Sequence, residues 1–131
     1  MVADTSALMA ILQGEAEASI FLELLDRATV RLVSAVSVLE SGLLAETRKG
    51  ELGGIELDSL LRELDLAVVA FDGEQAEIAR SAFRRFSKGR HPAGLNFGDC
   101  AAYALARASG EPLLFKGEDF ARTDVGGVAT R

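Results

Sequence analysis

Three acids look misplaced for ionised side chains: Asp4, Glu40 and Asp99. Asp4 closes a short apolar segment, Val2-Ala3, and a helix-forming run from Ala7 to Leu12 follows almost at once. An acid at such a junction lies at the carboxyl edge of a strand, where open α/β sheets bind their ligands. Glu40 interrupts a helical stripe of Val36, Leu43 and Leu44, four residues after the first and four before the last. An unpaired carboxylate there is costly to bury, so it reaches water at the stripe's edge, pairs with an arginine, or holds a ligand. Asp99 shares a 3.6-residue face with Ala102, Tyr103 and Ala106, which points it inward from a helix start. The same position also suits a helix N-cap. Glu118 and Asp119 add acids after a further apolar segment, Leu113-Leu114-Phe115.

Carboxylates gathered without a counterion raise one another's pKa, and a divalent cation removes that penalty. There is one histidine, His91, and one cysteine, Cys100, so a zinc site of the usual ligands is excluded. Oxygen donors alone suit Mg²⁺ or Mn²⁺. Such a centre activates water and polarises a phosphoryl group, and the expected chemistry is phosphodiester cleavage without a side-chain nucleophile. A basic run, Arg80, Arg84, Arg85, Lys88, Arg90 and His91, ends one helix. It complements the helix dipole or forms a phosphate-contacting rim.

The chain of 131 residues fits one domain, taken as 1–131. Hydrophobic residues make up 49% and charged residues 26%, a globular composition. Twenty acids against fourteen Lys and Arg give a formal charge of −6, which disfavours a nucleic-acid partner unless several acids are neutralised by a metal. A lone cysteine fits a reducing compartment. The N-terminal segment lacks a basic run and is interrupted by Asp4, and no apolar run nears the ~20 residues that span a bilayer. A cytoplasmic protein without membrane contact is expected.

The elements that must position these acids alternate. Strands are expected at Val2-Ala3, Val30–Val33, Ala67–Phe71 and Leu113–Phe115, with Val125–Ala129 as a last edge strand. The Ala67–Phe71 run is apolar throughout and reads as an interior strand. Helices are expected over 7–12, 15–28 with Ile20, Phe21, Leu24 and Leu25 inward, 35–49, 55–64 and 72–88 with Ala76, Ala79 and Phe83 inward, and after Asp99. Gly98 is expected to break the preceding loop, and Gly53-Gly54 to open the fourth helix. The pattern predicts an α/β fold with a mainly parallel central sheet and helices on both faces.

Order and spacing resemble the PIN-domain nucleases over nearly the whole chain. Asp4-Thr5-Ser6-Ala7-Leu8 looks like their opening motif, Glu40 matches the second acid, Leu95-Asn96-Phe97-Gly98-Asp99-Cys100 the third, and Leu113 to Phe120 the last strand with its acidic loop. The resemblance is strongest to VapC-type toxins of type II toxin–antitoxin pairs. It implies an Mg²⁺- or Mn²⁺-dependent endoribonuclease acting on tRNA, rRNA or mRNA, a homodimer, and inhibition by a small antitoxin. It implies Asp4 and Asp99 as principal metal ligands, Glu40 completing them, and Ser6 and Asn96 as supporting polar groups. The final motif departs from the family: aligned on Asp119-Phe120, Gly117 stands where many members carry an acid. Asp119 is therefore the fourth acid chosen, with Glu118 in reserve. Arg84, Arg85, Lys88 and Arg90 are the expected RNA contacts, and Lys116 binds phosphate or an antitoxin carboxylate.

Other readings compete. A phosphatase of the haloacid-dehalogenase type needs a second Asp where Ser6 stands, and a phospho-receiver needs an N-terminal acidic pair. A non-catalytic PIN-fold interaction module, or a metal-dependent nuclease outside any toxin–antitoxin system, remains as the alternative.

Overall fold

In a computed structural model, residues 1–87, 89, 91, 93–117, 124 and 127–130 are described. Among the described residues, five strands form one sheet: β1 (Val2–Ala3), β2 (Leu32–Ser34), β3 (Ala67–Val69), β4 (Leu113–Lys116) and β5 (Gly127–Thr130). Their order is β3-β2-β1-β4-β5, and every neighbouring pair is parallel. Six helices among the same residues connect them: α1 (Thr5–Leu12), α2 (Ala18–Arg27), α3 (Ala35–Lys49), α4 (Glu51–Glu63), α5 (Gly73–Phe86) and α6 (Phe97–Ser109).

Successive strand residues point to opposite faces, and both faces are buried here. Val2, Leu113 and Phe115 pack with Ala79, Ala82 and Phe86 of α5 and with α6 from Cys100 to Ala106. Ala3, Val33 and Leu114 pack the other way, against Ala7, Leu8 and Ala10 of α1 and Phe21 and Leu25 of α2. Partly buried Leu60, Leu61 and Leu64 extend that second layer along the α4 segment. The expected parallel sheet with helices on both faces is the observed architecture.

Several local expectations are corrected. β3 is an edge strand, not an interior one, and Val68 is 54% exposed. An all-apolar run looks interior because β-branched residues suit any pleated strand; the pairing order decides its place. On α2, Phe21 and Leu25 are buried but Ile20 is exposed. On α5 the inward residues are Gln75, Ala79, Ala82 and Phe86, and Phe83 is half exposed. On α3 the buried line is Ser37, Ser41 and Ala45, while Leu39, Leu43 and Leu44 are exposed. Small residues let α3 approach α1, α4 and α6, and that closeness outweighs the hydrophobicity of the leucines one position away. The α3–α4 crossing shows the same economy. A Cβ on Gly53 would lie 2.1 Å from the Ala45 carbonyl oxygen. Gly53 and Gly54 thus lie inside α4 rather than opening it. Among the described residues, no helix is long and apolar enough to cross a membrane.

Candidate active site

The carboxyl ends of the parallel strands deliver the acids. Asp4 follows β1 directly and is the N-cap of α1, with extended backbone. Its Oδ2 accepts hydrogen bonds from the Ser6 backbone N–H at 3.0 Å and from the Ser6 hydroxyl at 2.6 Å. Ser6 Oγ in turn accepts the Lys116 backbone N–H at 3.0 Å, tying the first turn of α1 to the end of β4. Ser6 thus links the Asp4 carboxylate to the β4 backbone. Asp4 is 3% exposed, and its Oδ1 is buried with no hydrogen-bond partner among the described residues. Burial, opposed by the Ser6 hydrogen bonds and reinforced by the Glu40 charge, raises its pKa to about 6.

Glu40 comes from the middle of α3 and is half-buried. Its carboxylate lies against α6: a Cβ on Gly98 would fall 2.4 Å from each of its oxygens. Gly98 is thus a helical residue, not a loop breaker as expected. It is the second residue of α6, and the absent side chain leaves the space the Glu40 carboxylate occupies. Asn96 caps α6, accepting the Asp99 N–H at 2.9 Å, while Asp99 Oδ2 accepts the Asn96 N–H at 3.1 Å. The capping role considered for Asp99 belongs to Asn96, with Asp99 as the reciprocal partner.

Asp4, Ser6, Glu40, Asn96 and Asp99 line one open cavity of about 240 Å³. The acids are 36 and 59 residues apart in sequence, and the sheet and α3 bring them to one edge. Arg48, two turns beyond Glu40 on α3, lines the same cavity together with Gln13. Sequence reasoning missed Arg48; its spacing of eight residues from Glu40 was the available signal. Cys100, next to Asp99 in sequence, lines a recess between α5 and α6, and burial together with the Asp99 charge pushes its thiol up to about 11, away from the thiolate form.

The basic residues divide. Arg85 pairs with Asp124 at 2.5 Å and stands over the Phe86 ring, and Asp124 also accepts the Tyr103 hydroxyl. Lys116 pairs with Glu15 at 3.1 Å and Glu17 at 3.5 Å. Arg84 lines an apolar recess between α5 and α6. Lys88, Arg90, Glu118 and Asp119 lie outside the described residues.

The donor set fits a hard divalent cation. It is all oxygen, it lines one cavity, and Asp4 Oδ1 is buried without a partner. Among the described residues no three acidic, thiol or imidazole side chains are close enough together to hold an ion. Asp99 is engaged with its own helix end.

A family model described as PIN domain matches residues 1–126. The chain is 53% identical over 128 residues to Ribonuclease VapC of Mycolicibacterium smegmatis, covering 98% of this chain and 99% of that one. It is 51% identical over 129 residues to Ribonuclease VapC30 of Mycobacterium tuberculosis, covering 98% of each. Among solved structures, VapC20 of M. tuberculosis, described as a Sarcin-Ricin loop cleaving toxin, superposes with TM-score 0.77 at 18% identity over 95% of each chain. VapBC2 of Rickettsia felis, bound to a promoter DNA fragment, gives 0.79 at 16% identity over 99% and 98%. These structural likenesses carry the fold.

Proposed function

The chain belongs to the PIN-domain family, in its VapC branch, and on that premise we propose that it is an endoribonuclease toxin held in check by a small antitoxin. The observation that carries the reading is the convergence of Asp4, Glu40 and Asp99 on one cavity. VapC ribonucleases of matching length, and neighbours solved as toxin–antitoxin complexes, support it.

Asp4, Glu40 and Asp99 would hold Mg²⁺ or Mn²⁺, with Asp119 as the fourth acid. When bound, the cation supplies a water of lowered pKa and neutralises charge on the phosphodiester. The chain's own residues do the rest. Ser6 fixes the Asp4 carboxylate through two hydrogen bonds. Asn96 orders the first turn of α6 and so sets where Asp99 stands. Gly98 lets the Glu40 carboxylate close against that turn. Arg48 offers a cation at the cavity edge for a phosphate that would otherwise meet only negative charge. Of the proposed RNA contacts among the described residues, Arg85 and Lys116 are held in ion pairs and Arg84 is not; Lys88 and Arg90 stay in the proposal.

The test is Asp99→Asn, which keeps shape and hydrogen bonding and removes charge. It should lower RNA cleavage at least a hundredfold and abolish growth inhibition. The free energy of unfolding should move by no more than the roughly 1 kcal/mol that a helix cap contributes. Undiminished cleavage by that variant defeats the proposal. Relief of toxicity on co-expression with the adjacent small gene product tests the antitoxin.

A further inference from the structure

The acidic cavity does not end at its acids. It shares Met9, Gln13 and Arg48 with a second open cavity of about 300 Å³, between the end of α1 and the α3–α4 crossing. Leu12 and Ala45 make part of that second lining apolar. Lys49 and Glu56 also line it and pair with each other at 3.2 Å, so their charges offset. Apolar walls with a few convergent polar groups are the usual form of a ligand site. Arg48 differs from its neighbour Lys49. It is exposed, lines both cavities, and makes no ion pair or side-chain hydrogen bond among the described residues. Among those residues it is also the one cation lining the acidic cavity, against three acids.

We propose that the RNA strand leaves the acids along this path: Arg48 holds the phosphate next to the scissile one, and the nucleoside beyond it lies in the cavity between α1, α3 and α4, where Gln13 meets its base edge. The inference rests on the nuclease reading and extends it to a second nucleotide. Glu40 and Arg48 are eight residues apart on α3, a rise of about 12 Å along its axis. That offset suits successive phosphates of one strand better than a single phosphate. A guanidinium presents a planar fork of donors to phosphate oxygens. The Gln13 amide carries both a donor and an acceptor, as a base edge does. Charge gives the strand its direction. Carboxylates repel phosphates, a divalent cation offsets two of their charges, and Arg48 is where the lining turns positive.

A cation in the last turn of α3 also favours the helix dipole. That role needs no cavity, and Lys49 fills it one position away while closing its ion pair with Glu56. The two roles read differently. A dipole contact changes stability alone, whereas a phosphate contact changes turnover in a way tied to one linkage of the substrate.

The experiment uses an RNA oligonucleotide spanning the cut mapped in total RNA from bacteria expressing the chain. Each linkage near the cut is replaced in turn by an uncharged methylphosphonate on a 2′-deoxy nucleotide, with the 2′-deoxy phosphate as control. With the wild type, neutralising the linkage next to the cut on one side should lower kcat/KM about tenfold, chiefly through KM. Arg48→Ala should lower kcat/KM on the parent RNA by a similar factor and add nothing on the neutralised RNA. Its log–log salt slope should be shallower by about 0.7, the share of one phosphate on a single strand. Arg48→Lys should recover part of the loss. An abasic nucleotide just beyond that linkage should also slow the wild type. Gln13→Ala should slow the parent RNA about threefold and leave the abasic RNA unaffected. Both residues are exposed, so the variants should melt with the wild type. Parent-rate cleavage by Arg48→Ala, or losses that add instead of overlapping, overturns the path and leaves the nuclease reading standing. Lost antitoxin binding with cleavage intact assigns Arg48 to a protein partner and also overturns it. Absence of any wild-type cleavage that Asp99→Asn removes defeats the nuclease reading, and the path falls with it.

Discussion

At the residue scale the site depends on what is missing at position 98 as much as on the acids. The Glu40 carboxylate fills the volume a side chain there would take. In an ordinary helix, Gly→Ala gains about 1 kcal/mol of propensity. Gly98→Ala is expected to melt no lower than the wild type, because the displaced group is the end of a flexible side chain. Cleavage is expected to fall at least tenfold, since Glu40 must leave its place. Wild-type cleavage by a folded Gly98→Ala protein would show that the Glu40 position is not used. Sequence reading put Glu40 on a stripe with Val36, Leu43 and Leu44, and the structure exposes both leucines while leaving Glu40 half-buried. The same reading took Gly98 for a break, because the neighbour that demands glycine is 58 residues away and no local pattern records it.

At the scale of elements, α3 shows where hydrophobic periodicity misleads. Its leucines at 39, 43 and 44 are exposed, and its serines at 37 and 41 are buried. Burial goes to the residues that permit close helix contact. Gly53 tests the point, because an added Cβ would collide with backbone, not with a movable side chain. Gly53→Ala should destabilise the protein by about 2 kcal/mol in urea unfolding. Gly54→Ala, whose Cβ would meet only the flexible Glu46 side chain at 3.3 Å, should be neutral or slightly stabilising. Equal effects of the two would refute the tight α3–α4 crossing. The helices and strands themselves were legible, with bounds shifted by a few residues, because alternation and capping residues are local signals. The edge position of β3 was not, because strand order is a property of the whole sheet.

At the scale of the whole molecule, collecting acids at one sheet edge costs stability, which the proposed cation would restore. Burial and the Glu40 charge hold Asp4 at about 6 in the folded chain, against an ordinary 3.8. Below pH 4 the group is protonated folded or unfolded, and its burial carries no charge penalty. As pH rises from about 4 to about 6 the unfolded chain releases the proton first, so stability falls across that window and stays lower above it. Without divalent ions, Asp4→Asn is therefore expected to be more stable than the wild type at pH 7.5, on the order of 2 kcal/mol. The advantage should vanish near pH 4. Added Mg²⁺ or Mn²⁺ should raise the wild-type melting temperature and leave the variant unmoved. A wild type whose stability is flat between pH 4 and 7 would remove the argument that Asp4 is strained by its burial.

What the sequence by itself determined was the set of chemical parts. Strand–acid–helix junctions, the absence of a Cys–His cluster and the order of the acidic motifs specified a parallel α/β fold and an oxygen-lined site. These follow from period, capping and ligand chemistry, which act within a few residues. The tertiary structure alone decided which polar groups meet. It joined Arg48 to the acids, committed Arg85 to Asp124 and Lys116 to Glu15, and set Phe97 on the far side of the wall that carries Asp99. Those relations depend on how helices pack across a sheet, and packing is a three-dimensional condition on residues far apart in the chain.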